Sequence, residues 1–133
     1  MAKAKILVID NDPDFREAIS VISKSAAYDV LTANNIKDGE EKILSEKPNL
    51  IILDIIMDSI FDGFSLCNEV KTGNKFKERK DTPIIFVSAV KDMTGSRFAF
   101  KRSEQGFVGP DDYIDKPVKP DDLLTRIDKL LKK

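Results

Sequence analysis

The stretch Ile6-Leu7-Val8-Ile9-Asp10-Asn11-Asp12 runs four apolar residues straight into a carboxylate. Two other stretches share that design, Leu50-Ile51-Ile52-Leu53 ending on Asp54 and Ile84-Ile85-Phe86-Val87 on Ser88, and a shorter apolar run in Asp112-Tyr113-Ile114-Asp115 leads to Lys116. A strand covered on both faces of a parallel sheet reads as a continuous Ile/Val/Leu run, and open α/β sheets take their ligands in the crevice outside the strands' carboxyl ends. Asp10, Asp54, Ser88 and Lys116 are therefore expected at one rim. Carboxylates, a hydroxyl and an ammonium suit a hard cation and a phosphoryl group.

Working outward, each strand is followed by a helical pattern. Lys5–Ile9 is the first strand. Asp12 offers an N-cap with Pro13 at the first helical position, and Phe15, Ala18, Ile19, Ile22 and Ala26 fall on one stripe. Tyr28–Thr32 is expected as a second strand, and Asn35 as the cap of a helix carrying Ile36, Ile43 and Leu44 inward until Pro48. Leu50–Leu53 is the third strand, and Gly63–Lys71 the next helix, with Phe64, Cys67 and Val70 on its stripe. The charged run Lys75–Lys80 reads as a solvated loop before the fourth strand, Ile84–Val87. A helix is expected over 91–107, interrupted by Gly95 and Gly106. Tyr113–Asp115 is the fifth strand, and Pro120 opens a last helix with Leu123, Leu124, Ile127, Leu130 and Leu131 inward.

Composition excludes much else. The chain has 133 residues, the size of a single domain over 1–133, and 41% apolar residues, enough for one core. A formal net charge of -1 gives no global basic field for nucleic acid or an anionic membrane. The mixed run Arg97-Phe98-Ala99-Phe100-Lys101-Arg102 reads better as packing or partner docking than as a nucleic-acid site. With no histidine, the chain has no Ser/His/Asp triad, His metal site or phosphohistidine of its own, so phosphoryl chemistry would need a histidine on a partner. Cys67 is the lone cysteine and reads as core. No signal-peptide pattern or membrane-length apolar stretch is present, and a cytoplasmic setting is expected.

Right-handed crossovers make the expected fold α/β: a doubly wound five-stranded parallel sheet, order 2-1-3-4-5, with helices on both faces. Strands one and three are then neighbours, and Asp10 and Asp54 share a pocket. Like-charged carboxylates this close repel unless a proton or cation intervenes. Mg²⁺ is the expected guest, since it takes one or two protein carboxylates and completes its shell with water and phosphate oxygens. Aspartate can itself serve as the nucleophile.

At these residues the chain resembles a response-regulator receiver domain, the aspartate-phosphorylated partner in two-component signalling. The matching stretches are ILVIDNDPDF, PNLIILDIIM, DGFSLCNEVK, TPIIFVSA and DDYIDKPVKPDDLL, which span nearly the whole chain. The resemblance implies Asp54 as phosphoacceptor, with Asp10, Asn11, Asp54 and the backbone carbonyl of Ile56 around Mg²⁺. It also implies Ser88 and Lys116 as phosphate-sensing groups, Tyr113 as an aromatic switch, and Pro117 as a cis proline.

Three features depart from the family pattern. Asn11 stands where a second carboxylate is usual, which predicts weakened metal binding. Met57 is followed by Asp58 in place of proline, and Asp58 is a compensating acid for the pocket. The stretch from Ser88 to Lys116 is longer than usual. Each assignment also has a plainer rival: Asp54 as a solvated strand-end acid, Asp10 as a structural acid, Ser88 as a helix cap, Lys116 as a surface lysine, Pro117 as a strand stop, and Tyr113 as a half-buried strand aromatic.

The expected function is that of a stand-alone receiver, a phosphorylation-controlled switch and no classical enzyme. It takes a phosphoryl group from a sensor histidine kinase or phosphotransfer protein. It then signals by docking a downstream protein on the face shared by the 91–107 helix, the fifth strand and the last helix. Neither nucleic acid nor membrane is an expected partner, and the expected state is a monomer or weak homodimer. Two alternatives are a receiver fold that binds partners without phosphorylation, motivated by Asn11, and a haloacid-dehalogenase-type phosphatase with Asp10 as nucleophile, motivated by Asp10-Asn11-Asp12.

Overall fold

The strand order is β2-β1-β3-β4-β5, all parallel, as the sequence predicts. The strands are β1 (Lys5–Ile9), β2 (Asp29–Ala33), β3 (Leu50–Asp54), β4 (Ile84–Ser88) and β5 (Asp112–Asp115). The helices described are α1 (Pro13–Ser25), α2 (Ile36–Glu46), α3 (Ile60–Thr72) and α4 (Pro120–Leu131). The computed structural model describes residues 4–54, 60–73, 76, 78, 81–88, 111–115 and 118–132, and for 60–64, 88 and 115 the backbone alone. The helix expected over 91–107 lies outside these residues.

The two-residue period of the central strands sorts the core into two layers. Leu7, Ile9, Ile51, Leu53, Ile84 and Phe86 cluster with Ile43 of α2 and with Leu66, Cys67 and Val70 of α3. Ile6, Val8, Leu50, Ile52, Ile85 and Val87 cluster with Ile19 of α1 and with Leu123, Ile127 and Leu130 of α4. Each such aliphatic side chain contributes roughly 1.5–3 kcal/mol by leaving water. Residues 50–53 are all fully buried, so no polar residue is tolerated until the strand reaches Asp54.

The helix starts follow the sequence signals. Asp12 caps α1, its carboxylate accepting from the Asp14 amide, and Pro13 stands in the first turn. Asn35 caps α2 by accepting from the Asp38 amide at 2.8 Å. After α1 the chain reverses through Ala27 at φ 70°, with Ala27 N–H on the Lys24 carbonyl and Tyr28 N–H on that of Ser23. Tyr28 is thereby buried just ahead of β2 rather than within it, and the strand runs one residue later than expected.

Two inward assignments are corrected, and two residues not assigned to the core are buried. Ala18 is exposed and Ser23 takes a buried place on α1. Leu44 is 42% exposed, because α2 turns Gly39 and Ile43 inward and leaves Leu44 on the outer edge of that stripe. Phe76, inside the charged run read as a solvated loop, is 1% exposed and belongs to the layer under α2 and α3, while Glu78 is exposed. Helix α3 also begins at Ile60, three residues before the expected start.

Candidate acceptor pocket

Register aligns the rim. Ile9 pairs with Leu53, which places Asp10 beside Asp54 at the next step of the two neighbouring strands. Asp54 in turn pairs with Val87, so the backbone of Ser88 stands one step beyond it on β4. Ser88 pairs with Asp115, the residue before Lys116. The order across the carboxyl ends is therefore Asp10, Asp54, Ser88 and the end of β5, as the four apolar runs imply.

Asp10 and Asp54 are 0% and 5% exposed, and they are the buried carboxylates among the described residues. Two carboxylates held side by side at neighbouring strand ends repel each other, and a cation between them would relieve that repulsion. Asp10 is tightly fixed. Its N–H donates to the Ala33 carbonyl at 3.0 Å, extending the β1–β2 ladder, and its Oδ1 accepts the Asp12 N–H at 2.9 Å, a turn that leads into α1. Asn11, at the tip of this turn, is exposed.

Arg16, which the sequence reading did not single out, belongs to the same assembly. Its Nη1 donates to the Asp10 carbonyl at 2.6 Å, and its own N–H reaches the Asp12 carbonyl at 3.1 Å. The placement follows from the capped start of α1, which points the first turn at the rim. An arginine six residues after a strand-end aspartate is the available signal, but it has meaning only once the turn geometry is known.

Tyr113 is partly buried on β5 and packs against the layer under α2 and α3. Its carbonyl accepts Arg126 Nη1 at 3.3 Å, and the same guanidinium pairs with Asp112 at 2.5 Å and Asp122 at 3.0 Å, tying the edge strand to α4. Burial opposes the Arg126 charge, but its hydrogen bond to Asp122 and the fields of Asp112 and Asp122 outweigh this and raise its pKa. Ile56, Asp58, Lys116 and Pro117 lie outside the described residues, and of Ser88 the backbone alone is described.

The donor chemistry fits a hard cation. Two carboxylates with a nearby amide oxygen are an all-oxygen set, of the kind that holds Mg²⁺ through one or two carboxylates and several waters. Among the described residues no third acid, cysteine or histidine joins them.

The profile of the response regulator receiver domain matches residues 6–128, nearly the whole chain. The chain belongs to that family. It is a two-component signalling module with the flavodoxin-like fold, and receiver domains act as signalling switches that meet histidine kinases or phosphotransfer proteins. Among relatives, the chain is 34% identical over its full length to the probable transcriptional regulator ycf27 of Porphyridium aerugineum, covering 50% of that protein. It is 32% identical to protein PilG of Pseudomonas aeruginosa over 92% of this chain and 84% of PilG. The crystal structure of a putative response regulator from Chloroflexus aurantiacus superposes with a TM-score of 0.80 at 25% identity, covering 98% of both chains. The receiver spans about half the length of the ycf27-type regulators it matches. Among the described residues, no helix is long and apolar enough to cross a membrane.

Proposed function

We propose that this receiver accepts a phosphoryl group on Asp54 from the phosphohistidine of a partner kinase or phosphotransfer protein, in a Mg²⁺-dependent manner, and thereby changes what it binds. The observation that carries the reading is the buried Asp10–Asp54 pair at adjacent strand ends in a chain that has no histidine. Asp54 is the acceptor because it closes the most apolar strand at the centre of the sheet, between the Asp10 turn and Ser88. An Asp54 carboxylate oxygen bonds to phosphorus as the donor's phosphorus–nitrogen bond breaks, and the departing imidazole nitrogen takes a proton. Asp10, Asn11, Asp54 and the Ile56 carbonyl are the groups proposed to hold Mg²⁺, with Asp58 as a compensating acid. When bound, the ion neutralises negative charge on the carboxylates and phosphoryl oxygens.

A phosphoryl group on Asp54 brings about two negative charges and strong acceptor oxygens to the rim. Ser88 and Lys116 are proposed to turn toward it, and Tyr113 to change rotamer with them. That biases the surface of segment 89–110, β5 and α4 toward a partner-binding form. Signalling by docking a downstream protein is part of the proposal.

Mass-spectrometric mapping after incubation with acetyl phosphate and Mg²⁺ tests the reading. One phosphoryl group on Asp54, absent from Asp54→Asn, is expected. Label on Asp10, or label that survives Asp54→Asn, overturns it. Asn11 favours one second reading, a receiver that docks without phosphorylation, and an unlabelled but partner-binding wild type would establish that instead.

A further inference from the structure

Asp10 needs more than burial to face Asp54, because the chain must leave β1, turn and enter α1 within three residues. Two of the bonds that hold this turn are the Asp10 N–H to the Ala33 carbonyl, across to β2, and the Asp12 N–H to Asp10 Oδ1 within the turn. The third comes from the helix itself. Arg16 Nη1 reaches back 2.6 Å to the Asp10 carbonyl, while the Arg16 amide anchors on the Asp12 carbonyl. The peptide after Asp10 is therefore gripped from the first turn of α1, and with it the direction of the Asp10 carboxylate.

We propose that Arg16 is a positioning residue of the acceptor pocket, one that fixes the Asp10–Asp12 turn so that the Asp10 carboxylate is presented beside Asp54 for the cation and phosphoryl group. The inference rests on the acceptor-pocket reading. It matters more in this chain because Asn11 supplies an uncharged amide, leaving Asp10 and Asp54 as the buried anionic oxygens among the described residues.

Electrostatics and positioning make opposite predictions, which makes the role measurable. A guanidinium beside an acidic pocket repels a divalent cation, so removing its charge alone would tighten Mg²⁺ binding. If Arg16 aims Asp10, removing it loosens the ligand and weakens binding, and losing such a supporting partner typically costs on the order of 10- to 100-fold in metal affinity. Phosphoryl acceptance should fall in parallel, since misplacing a reacting group by about 1 Å costs on the order of 100-fold.

The experiment compares wild type, Arg16→Met and Arg16→Lys, with Lys5→Met as a control that cuts a similar side chain from the α2 carbonyl of Glu46 at the opposite end of β1. Three quantities are read: Mg²⁺ affinity by NMR titration, the rate of Asp54 phosphorylation by acetyl phosphate, and exchange protection of the Asp12 amide in metal-free protein. Arg16→Met should show at least tenfold weaker Mg²⁺ binding, a slowed rate and a deprotected Asp12 amide, with Arg16→Lys intermediate and Lys5→Met unchanged in all three. Unchanged or tighter Mg²⁺ binding in Arg16→Met, or equal losses in Lys5→Met, overturns the inference. Should Arg16→Met not fold, Arg16→Lys decides: wild-type values in all three quantities overturn the role. A wild type that takes no phosphoryl group on Asp54 sinks the acceptor reading, whereas a wild type that does, alongside an equally competent Arg16→Met, sinks this one.

Discussion

Gly39 of α2 approaches Ile9 of β1 so closely that a β-carbon at Gly39 would stand 2.5 Å from Ile9 Cδ1 and 3.0 Å from Cγ1. Ile9 is fully buried, so its side chain has little room to swing aside. It is also the residue before Asp10, which connects the packing of α2 to the geometry of the pocket.

Gly39→Ala is therefore expected to destabilise the fold. Alanine gains roughly 1 kcal/mol of helix propensity over glycine, but overpacking costs about 1–3 kcal/mol, leaving a net loss of about 1 kcal/mol. Ile9→Val removes Cδ1 and should recover part of that loss when combined with Gly39→Ala. Denaturant midpoints of the four proteins check this, and strict additivity would contradict the contact.

Asp111 is the second point of dependence. Its Oδ2 accepts the Ile84 N–H at 2.8 Å and Lys71 Nζ at 2.5 Å, while its own N–H donates to the Ile84 carbonyl at 2.8 Å. One carboxylate thus joins the start of β4, the approach to β5 and the end of α3. Asp111→Ala leaves the Ile84 amide and a mostly buried lysine without this partner, at a cost of about 2 kcal/mol after allowing for partial exposure of the carboxylate. Asp111→Asn should lose less, because its amide oxygen still accepts from Ile84. Equal melting temperatures for the two variants would show that the ion pair, and not the backbone bond, carries the effect.

The sequence was most legible where one physical demand dominates. The 6–9 and 50–53 runs admit no reading but strands covered on both faces, and their order places Asp10 beside Asp54. The caps at Asp12 and Asn35 were legible because they satisfy local helix amides. Legibility failed where a neighbouring element decides. Leu44 looks like core by identity, yet α2 needs the missing side chain of Gly39 to approach Ile9, and that rotation carries Leu44 outward. Phe76 was hidden by five charged neighbours although one aromatic suffices to anchor a loop. Arg16 and Asp111 act through side-chain bonds to backbone groups, which leave no periodic trace.

Cys67 gives a pH prediction. Burial pushes its thiol up to about 12, with nearby Lys71 opposing and Asp111 adding to the shift. A thiol whose pKa is raised on folding favours the fold while it is protonated in both states. Above the ordinary value of 9.0, the unfolded chain releases a proton that the folded chain retains, so stability falls as pH rises toward 12. The slope from this group is about 1.4 kcal/mol per pH unit. The difference in unfolding free energy between wild type and Cys67→Ala should therefore shift against wild type from pH 9 to 11. A constant difference would refute it, as would rapid alkylation of the native thiol at neutral pH.

Asn11→Asp tests what the exposed turn contributes beside two buried carboxylates. The substitution adds a negative charge next to Asp10, within the reach of the electrostatic field of the Asp10–Asp54 pair. With no cation bound, like charges repel, and the variant should melt lower than wild type. Mg²⁺ reverses the sign. A third anionic oxygen strengthens attraction for the ion, so the variant should bind Mg²⁺ roughly tenfold tighter, about 1.4 kcal/mol, and gain more thermal stability from it than wild type does. Because exposure lets water and salt screen the new charge, both effects should diminish in high salt. Parallel Mg²⁺ titrations and melting curves decide the matter. Unchanged affinity in Asn11→Asp would mean that the ion is held without this position, and would shift attention to Asp58 as the acid that compensates for the native asparagine.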